Sequence, residues 1–344
     1  MELRAALARV VGGADLTREE AEHVMTAVMN GEATPAQLGA LLAALHLKGE
    51  SAEEVAGFAG ALRALAVPVE LAVSDAIDTC GTGGDGAGTF NISTVAALVC
   101  AGAGATVAKH GNRAASSACG SADVLEALGV RIDLGPKGVA RCIEEVGVGF
   151  MFAPRFHPAM RHAAPVRREL GVRTVFNLLG PLANPARVRR QLVGVATLKV
   201  GPLLAESLRA LGAEHVLVAH GEDGLDEISP SGPSRLWELR GGRIAERSFR
   251  PEDVGLGPAA REEIAGGDAE RNKEIAQRVL AGADGGRRTA VLLNAGAALY
   301  VAGKAATLSD GVALAAGTID SGRARNALAR LVARSHELVG EDGA

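Results

Sequence analysis

At 344 residues, nearly half of them apolar but only 3% aromatic, the chain is long enough for two domains whose interiors must be built from Ala, Val and Leu. A formal net charge of −4 excludes the basic footprint that a nucleic-acid binder needs. Cysteines at 80, 100, 119 and 142, with no Cys-x-x-Cys pair and no clustered histidines, make a reduced, cytosolic pattern and a poor zinc site.

The N-terminus reads as a helix rather than a signal peptide, because Leu3, Ala6, Leu7, Val10 and Val11 follow helical spacing. Three capping boxes follow, Thr17 with Glu20, Thr34 with Gln37 and Ser51 with Glu54, and Pro35 takes the favoured first helical position. Each leads into an apolar stripe: Val24, Met25, Val28; then Leu38, Leu41, Leu42, Leu45; then Val55, Phe58, Leu62. The first seventy residues are therefore four short helices, with the stripes as bundle core. The apolar, uncharged run Val95–Ala108 is too short to cross a bilayer, so no membrane contact is expected.

From Ala76 short apolar runs alternate with helix-length segments: Ala76–Cys80, Ala105–Ala108, Val148–Phe152, Gln191–Ala196 and His215–Ala219. That alternation predicts a mostly parallel sheet with crossover helices. Arg235–Leu239 and Arg243–Phe249, joined through Gly241-Gly242, read as a hairpin, and the chain is helical again from about Ala269. Residues 157–185 are rich in Pro and Arg and lack strand character. The expected architecture is a small helical domain (1–72 plus roughly 157–185) and a larger α/β domain (73–156 and 186–344), with the active site in the cleft between them.

The strongest chemical signal is Asp78-Thr79-Cys80-Gly81-Thr82-Gly83-Gly84-Asp85-Gly86-Ala87-Gly88-Thr89-Phe90-Asn91-Ile92-Ser93-Thr94, between a strand and an apolar helix. Its glycines let backbone N–H groups converge on an anion, and Asn91, Ser93 and Thr94 add polar groups at the positive end of a helix. It is neither G-x-G-x-x-G nor a Walker A loop. A glycine-rich turn alone is usually only a turn; strand, glycines and polar helix start together favour an anion cradle.

One strand later comes Lys109-His110-Gly111-Asn112-Arg113-Ala114-Ala115-Ser116-Ser117, then Gly120-Ser121. Lys109 and Arg113 bring cations to a strand end, where open α/β sheets bind ligands. Ser121 alone reads as a helix cap. The third feature, Gly221-Glu222-Asp223-Gly224-Leu225-Asp226-Glu227-Ile228-Ser229, follows a strand and holds four carboxylates. Such a run is ordinarily a solvated loop. Beside two phosphate-binding segments, Asp226 and Glu227 are instead favoured as carriers of magnesium, which takes one or two carboxylates plus substrate oxygens.

Along essentially its whole length the chain resembles the anthranilate phosphoribosyltransferase family. The resemblance rests on Gly81–Thr94, Lys109–Ser117, Phe152-Ala153-Pro154, His157-Pro158-Ala159-Met160-Arg161, Val166-Arg167-Arg168, Arg173-Thr174-Val175-Phe176-Asn177, Gly180-Pro181-Leu182 and Asp226-Glu227. It implies 5-phosphoribosyl 1-diphosphate as donor, anthranilate as acceptor, Mg²⁺, and a cytoplasmic homodimer joined through the helical domain. It assigns donor contacts to Gly81, Gly84, Asp85, Thr89, Asn91, Ile92, Ser93, Thr94, Lys109, His110, Gly111, Asn112, Arg113, Ala114, Ala115, Ser116, Ser117 and Ser121. Metal contacts fall on Ser93, Asp226 and Glu227, and acceptor contacts on Gly81, Asn112 and Arg167, with His110 and Pro181 lining the path. No acid or base is assigned.

An Arg pair on a helix is ordinarily solvated. The acceptor carboxylate gives Arg167 a partner, and the helical twist turns Arg168 elsewhere. His157 and His162 are read as structural and the cysteines as small apolar fillers. Two rivals remain: a pyrimidine nucleoside phosphorylase, whose Lys-His-Ser-Thr-Gly-Gly pattern is absent, and a non-enzymatic relative that binds nucleic acid, disfavoured by the net charge.

Overall fold

The computed structural model describes residues 2–114 and 118–340. The four helices at the N-terminus are Leu3–Val11, Arg18–Met29, Pro35–Lys48 and Ala52–Leu65, and the three anticipated capping boxes are formed at Thr17, Thr34 and Ser51. The third box has a second duty. Glu54 is fully buried, and its carboxylate accepts from Ser51 N–H, from Leu16 N–H and from Lys48 Nζ. A buried charge is tolerated only with such a full set of partners, and this one pins the loop before the second helix onto the fourth.

The sheet has seven strands in the order β3-β2-β1-β4-β5-β6-β7. They are β1 Ile77–Gly81, β2 Val107–Gly111, β3 Val148–Phe152, β4 Arg190–Gly194, β5 His215–Gly221, β6 Ser234–Arg240 and β7 Arg243–Phe249. The first five are parallel, and the β6–β7 hairpin continues the sheet antiparallel at one edge. β2 runs later than its apolar run suggested. Parallel pairing with β3 continues to Gly111↔Phe152, so Lys109 and His110 lie inside the strand rather than after it.

Both faces of the sheet are covered, and alternate residues of β4 to β6 enter different cores. Leu192, Leu217 and Leu236 join the core formed with the helices Ile92–Gly102, Gly286–Val301 and Arg323–Glu337. Val193, Val216, Val218, Trp237 and Leu239 join the other, with the N-terminal helices, Val166, Val175, Phe176 and Leu182. The helix Val200–Ala210 belongs to this second core through Leu204, Ala205 and Leu208. It approaches so closely that a Cβ on Gly201 would stand 2.1 Å from the Trp237 ring. The helical layer thus shares a continuous interior with part of the α/β layer, and residues 163–183 pack with the helices.

Candidate active site

The chain leaves β1 for β2 and β3 on one side and returns to β4 and β5 on the other, so the boundary between β1 and β4 is the switch point of the sheet. Ligands of open α/β sheets bind beyond the carboxyl ends of the strands at such a point. Gly81 and Gly194 are register partners there, and Thr82 N–H donates to Gly194 O at 2.9 Å. The segment after β5 lies directly on this glycine pair. A Cβ on Gly81 would meet Asp226 Oδ2 at 2.5 Å, and one on Gly194 would meet the Asp226 carbonyl at 1.5 Å. Small residues at two strand ends let a third strand's loop seat its carboxylates over those ends.

Asp226 Oδ2 accepts from Gly83 N–H at 2.7 Å, and Glu227 Oε1 accepts from Ser93 N–H at 3.1 Å. Lys109, buried inside β2, reaches across β1 to the Thr79 carbonyl and lies 3.5 Å from Ser93 Oγ. Asp85 Oδ2 is buried with no hydrogen-bond partner. Burial, then the charge of Asp85, pushes the Asp226 carboxyl up; burial, then Asp226, pushes Glu227 well up, with Lys109 opposing. Asp85, Asp226 and Glu227 thus crowd like charges together, and Lys109 offsets them only at Glu227. Among the described residues no group of three or more His, Cys, Asp or Glu could hold a metal ion unaided. Two carboxylates, a serine hydroxyl and an orphaned carboxylate oxygen fit magnesium, which fills its shell with water and substrate oxygens.

The glycine loop carries Gly83, Gly84, Gly86 and Gly88 at positive φ, a conformation that other residues rarely adopt. Its outer side is braced by residues 264–266, through Phe90 N–H to Ile264 O at 3.2 Å and Gly266 N–H to Gly88 O at 2.9 Å. Thr89 bridges Ala265 in the same brace. One of the loop's expected donor-binding groups is already committed. Asn91 donates to Cys119 O at 3.0 Å and accepts from Asn272 Nδ2 at 2.9 Å, so its amide ties three segments together. Ile92 is buried and can offer only its backbone, while Thr94 Oγ1 is buried without a partner.

The second segment needs two corrections. Arg113 was expected to bring a cation to the strand end. Its guanidinium is instead paired with Asp123 at 2.9 Å and Glu126 at 2.8 Å, and lies over the Phe152 ring. Ser121 was expected to cap its helix. The cap is Gly120, and Asp123 Oδ2 accepts from Gly120 N–H and Ala114 N–H. Ser121 Oγ instead donates to Asn112 O at 3.3 Å, where a Cβ on Gly111 would stand 2.2 Å from it. Ala115, Ser116 and Ser117 lie outside the described residues.

Among the residues expected to line the acceptor's path and just beyond, three successive carbonyls are each held by a different element. Gly180 O accepts from His110 Nδ1 at 3.3 Å, Pro181 O from Gln191 Nε2 at 2.8 Å, and Leu182 O from Arg63 Nε at 2.5 Å. A carbonyl can only accept, so His110 carries its proton on Nδ1. Burial pulls His110 down to about 3, helped by His157 and opposed by the Gly180 bond. Burial pulls His157 down to about 4, against a bond to Ala183. The two rings stand 5.1 Å apart, and each Nε2 is buried without a partner. Behind them Asp78 accepts from His110 N–H and Asn184 Nδ2. His162 stands exposed, its ring against Gly31.

In the helix Ala164–Leu170, Arg167 is half-buried and Arg168 exposed. The Arg167 guanidinium sits 4.9 Å from the Phe176 ring, and burial alone lowers it, with no neighbouring acid opposing. Several participants escaped the sequence reading. Asn184, Gln191 and Asn272 are buried amides, and nothing in their spacing separates them from solvated ones. Arg173 did carry a signal, since it opens the Arg173-Thr174-Val175-Phe176-Asn177 motif, but its target, Gly83 O, lies ninety residues away.

Residues 4–66 match the model of the glycosyl transferase family's helical bundle domain, and residues 73–325 that of its a/b domain. The anthranilate phosphoribosyltransferase of Chloroflexus aggregans is 56% identical over 337 residues, covering 97% of this chain and 99% of the relative. That of Anaeromyxobacter dehalogenans is 57% identical over 328 residues, covering 95% and 97%. Among solved structures, the Thermus thermophilus anthranilate phosphoribosyltransferase aligns with a TM-score of 0.92 at 48% identity, covering 96% of this chain and 99% of that one. The Saccharomyces cerevisiae enzyme in complex with PRPP and Mg aligns at 0.89 with 25% identity, covering 97% and 98%. These findings favour neither a nucleoside phosphorylase nor a nucleic-acid-binding relative: the chain belongs to the anthranilate phosphoribosyltransferase family.

Proposed function

We propose that the β1–β4 switch point is where this chain transfers the phosphoribosyl group of 5-phosphoribosyl 1-diphosphate to anthranilate, giving N-(5-phosphoribosyl)anthranilate and diphosphate in tryptophan biosynthesis. The observation that carries this placement is the Asp226–Glu227 segment seated on paired glycines, with a surplus of buried acid on one side of the cleft and an unmatched half-buried guanidinium on the other. Asp226, Glu227 and Ser93 would hold magnesium, and that ion, when bound, offsets the charge gathering on the departing diphosphate. The loop amides and Lys109 meet phosphate oxygens. Arg167 takes the acceptor carboxylate, and Asn112, His110 and Pro181 line its approach.

The amine nitrogen forms a bond to the ribose anomeric carbon while the bond from that carbon to diphosphate breaks, and the nitrogen then sheds a proton. An arylamine is neutral at physiological pH, so no side chain must activate it; alignment and charge stabilisation carry the rate. Closure of the helical layer over the cleft excludes water that would hydrolyse the donor. We place the contact of a homodimer on the helical part, where Val11 and Leu47 stand exposed at 68% and 85% on the first and third helices. The enzyme is assigned to the cytoplasm.

Turnover is read directly by mixing the chain with anthranilate, donor and Mg²⁺ and following anthranilate fluorescence. Loss of fluorescence only when all three are present is the expected result. Loss without donor, or none with it, overturns the assignment.

A further inference from the structure

Arg173 stands in the connector between the helix Ala164–Leu170, which carries Arg167, and the helix Phe176–Leu182, which carries Pro181. Its side chain crosses to the glycine loop, where Nη1 donates to Gly83 O at 2.9 Å. A Cβ built on Gly84 would lie 1.7 Å from that nitrogen and 2.9 Å from Cζ, so the guanidinium rests directly on the Gly84 Cα. The other side of the same residue is also held, because Gly83 N–H donates to Asp226. Among the described residues, Arg173 to Gly83 is the hydrogen bond that joins the 157–185 stretch to the loop.

The pairing is chemically lopsided. A guanidinium has five N–H donors and a permanent charge, and this one faces solvent while serving a neutral carbonyl. A phosphate oxygen is the better acceptor by charge and by the fit of the planar fork. The connector is also short and tethered. Gly171 ends the Arg167 helix at φ 64, and Val175 and Phe176 are buried in the second core. Arg167 lies over that same Phe176 ring. Arg173 and Arg167 thus flank and contact one short, core-anchored segment.

Resting on the donor assignment of the glycine loop made above, we propose that Arg173 is a cation for the donor's diphosphate and the link between the two substrate sites. On donor binding its guanidinium leaves Gly83 O for a phosphate oxygen, and the connector carries Arg167 toward the acceptor. Donor and acceptor then favour each other's binding, as a shared mobile element requires.

Magnesium diphosphate tests this without turnover, since it lacks the ribose. Its affinity is measured by calorimetry, and anthranilate is titrated by fluorescence with and without it, on wild type, Arg173→Ala and Arg173→Lys. Wild type is expected to bind magnesium diphosphate and to hold anthranilate several-fold more tightly in its presence. Arg173→Ala should bind magnesium diphosphate about 10- to 150-fold more weakly, the loss of a charged hydrogen bond, and show an anthranilate ratio of one. Its affinity for anthranilate alone should match wild type. Arg173→Lys, which keeps the charge but not the fork, should fall between. If Arg173→Ala matches or exceeds wild-type affinity for magnesium diphosphate, the guanidinium only braces the loop and the proposal fails. A wild-type ratio of one overturns the coupling. If wild type does not bind magnesium diphosphate at all, the donor assignment of the loop fails, and the proposal with it.

Discussion

Adjacent arginines separate the acceptor assignment from a solvated face. Arg167 is half-buried over Phe176 and Arg168 is exposed, as a turn of about 100° between successive helical residues requires. Arg167→Ala should lower kcat/KM for anthranilate by about 10- to 150-fold, the equivalent of roughly 1.5–3 kcal/mol, while donor KM changes little. Arg168→Ala should stay within a few-fold of wild type; steady-state kinetics on both decide it. The buried imidazoles give a pH prediction. His110 and His157 have folded values of about 3 and about 4, below the ordinary value of 6.5. As pH falls below about 6.5 the unfolded chain takes up protons that the folded chain refuses, so stability declines toward about pH 4 by up to about 1.4 kcal/mol per pH unit for each histidine. Side-chain ¹⁵N shifts should show both rings neutral, with His110 protonated on Nδ1, from pH 8 to pH 5; a midpoint near 6.5 would contradict the burial argument. At this scale residue types were legible and partners were not. Arg113 promised a cation until Asp123 and Glu126 claimed it, and Asn91 offered an amide that Cys119 and Asn272 occupy. All four partners lie in other segments, and no local spacing reports them.

Elements were legible where local chemistry fixes them. All three capping boxes form because each needs only two residues three apart, at about 1 kcal/mol each. Strand ends were not, because a ladder stops where its partner stops: β2 runs on to Gly111 against Phe152, and β5 to Gly221 against Ser234. Glycines at the ends of β1 and β4 also had an unseen purpose. Gly81 was read as a phosphate-facing turn; its Cα, with that of Gly194, also forms the floor under Asp226. Gly194→Ala should therefore act through the Asp226–Glu227 segment. Its Cβ would strike a backbone carbonyl at 1.5 Å, which no rotamer relieves. We expect a loss of about 1–3 kcal/mol in stability and a higher Mg²⁺ requirement. Gly232→Ala, with nothing within 4 Å of its Cβ, should match wild type in Tm and in Mg²⁺ titration. Equal Tm values for the two variants would show that the Asp226 segment yields freely.

For the whole molecule, the two-layer plan follows from the change of period near Ala76, but the shared core does not. Apolar runs in β4 to β6 announce burial on both faces without saying which helices lie on each; Val193 and Val218 meet the N-terminal helices, and Leu192 and Leu217 the C-terminal ones. The helical layer also bears the exposed Leu47 and Val11. Leu47→Glu should convert a dimer to a monomer in light scattering without lowering activity per chain at saturating substrates; a wild-type monomer would remove the interface from the account. The central claim is that three elements converge on one β1–β4 cleft and that Asp226 and Glu227 carry its metal. Its most direct measurement is Mg²⁺ titration of turnover in Asp226→Asn/Glu227→Gln, with circular dichroism to verify the fold. Amides cannot offset a hard cation's charge, so turnover should vanish or require far more Mg²⁺ in a folded protein. A double variant with the wild-type magnesium dependence would contradict the claim.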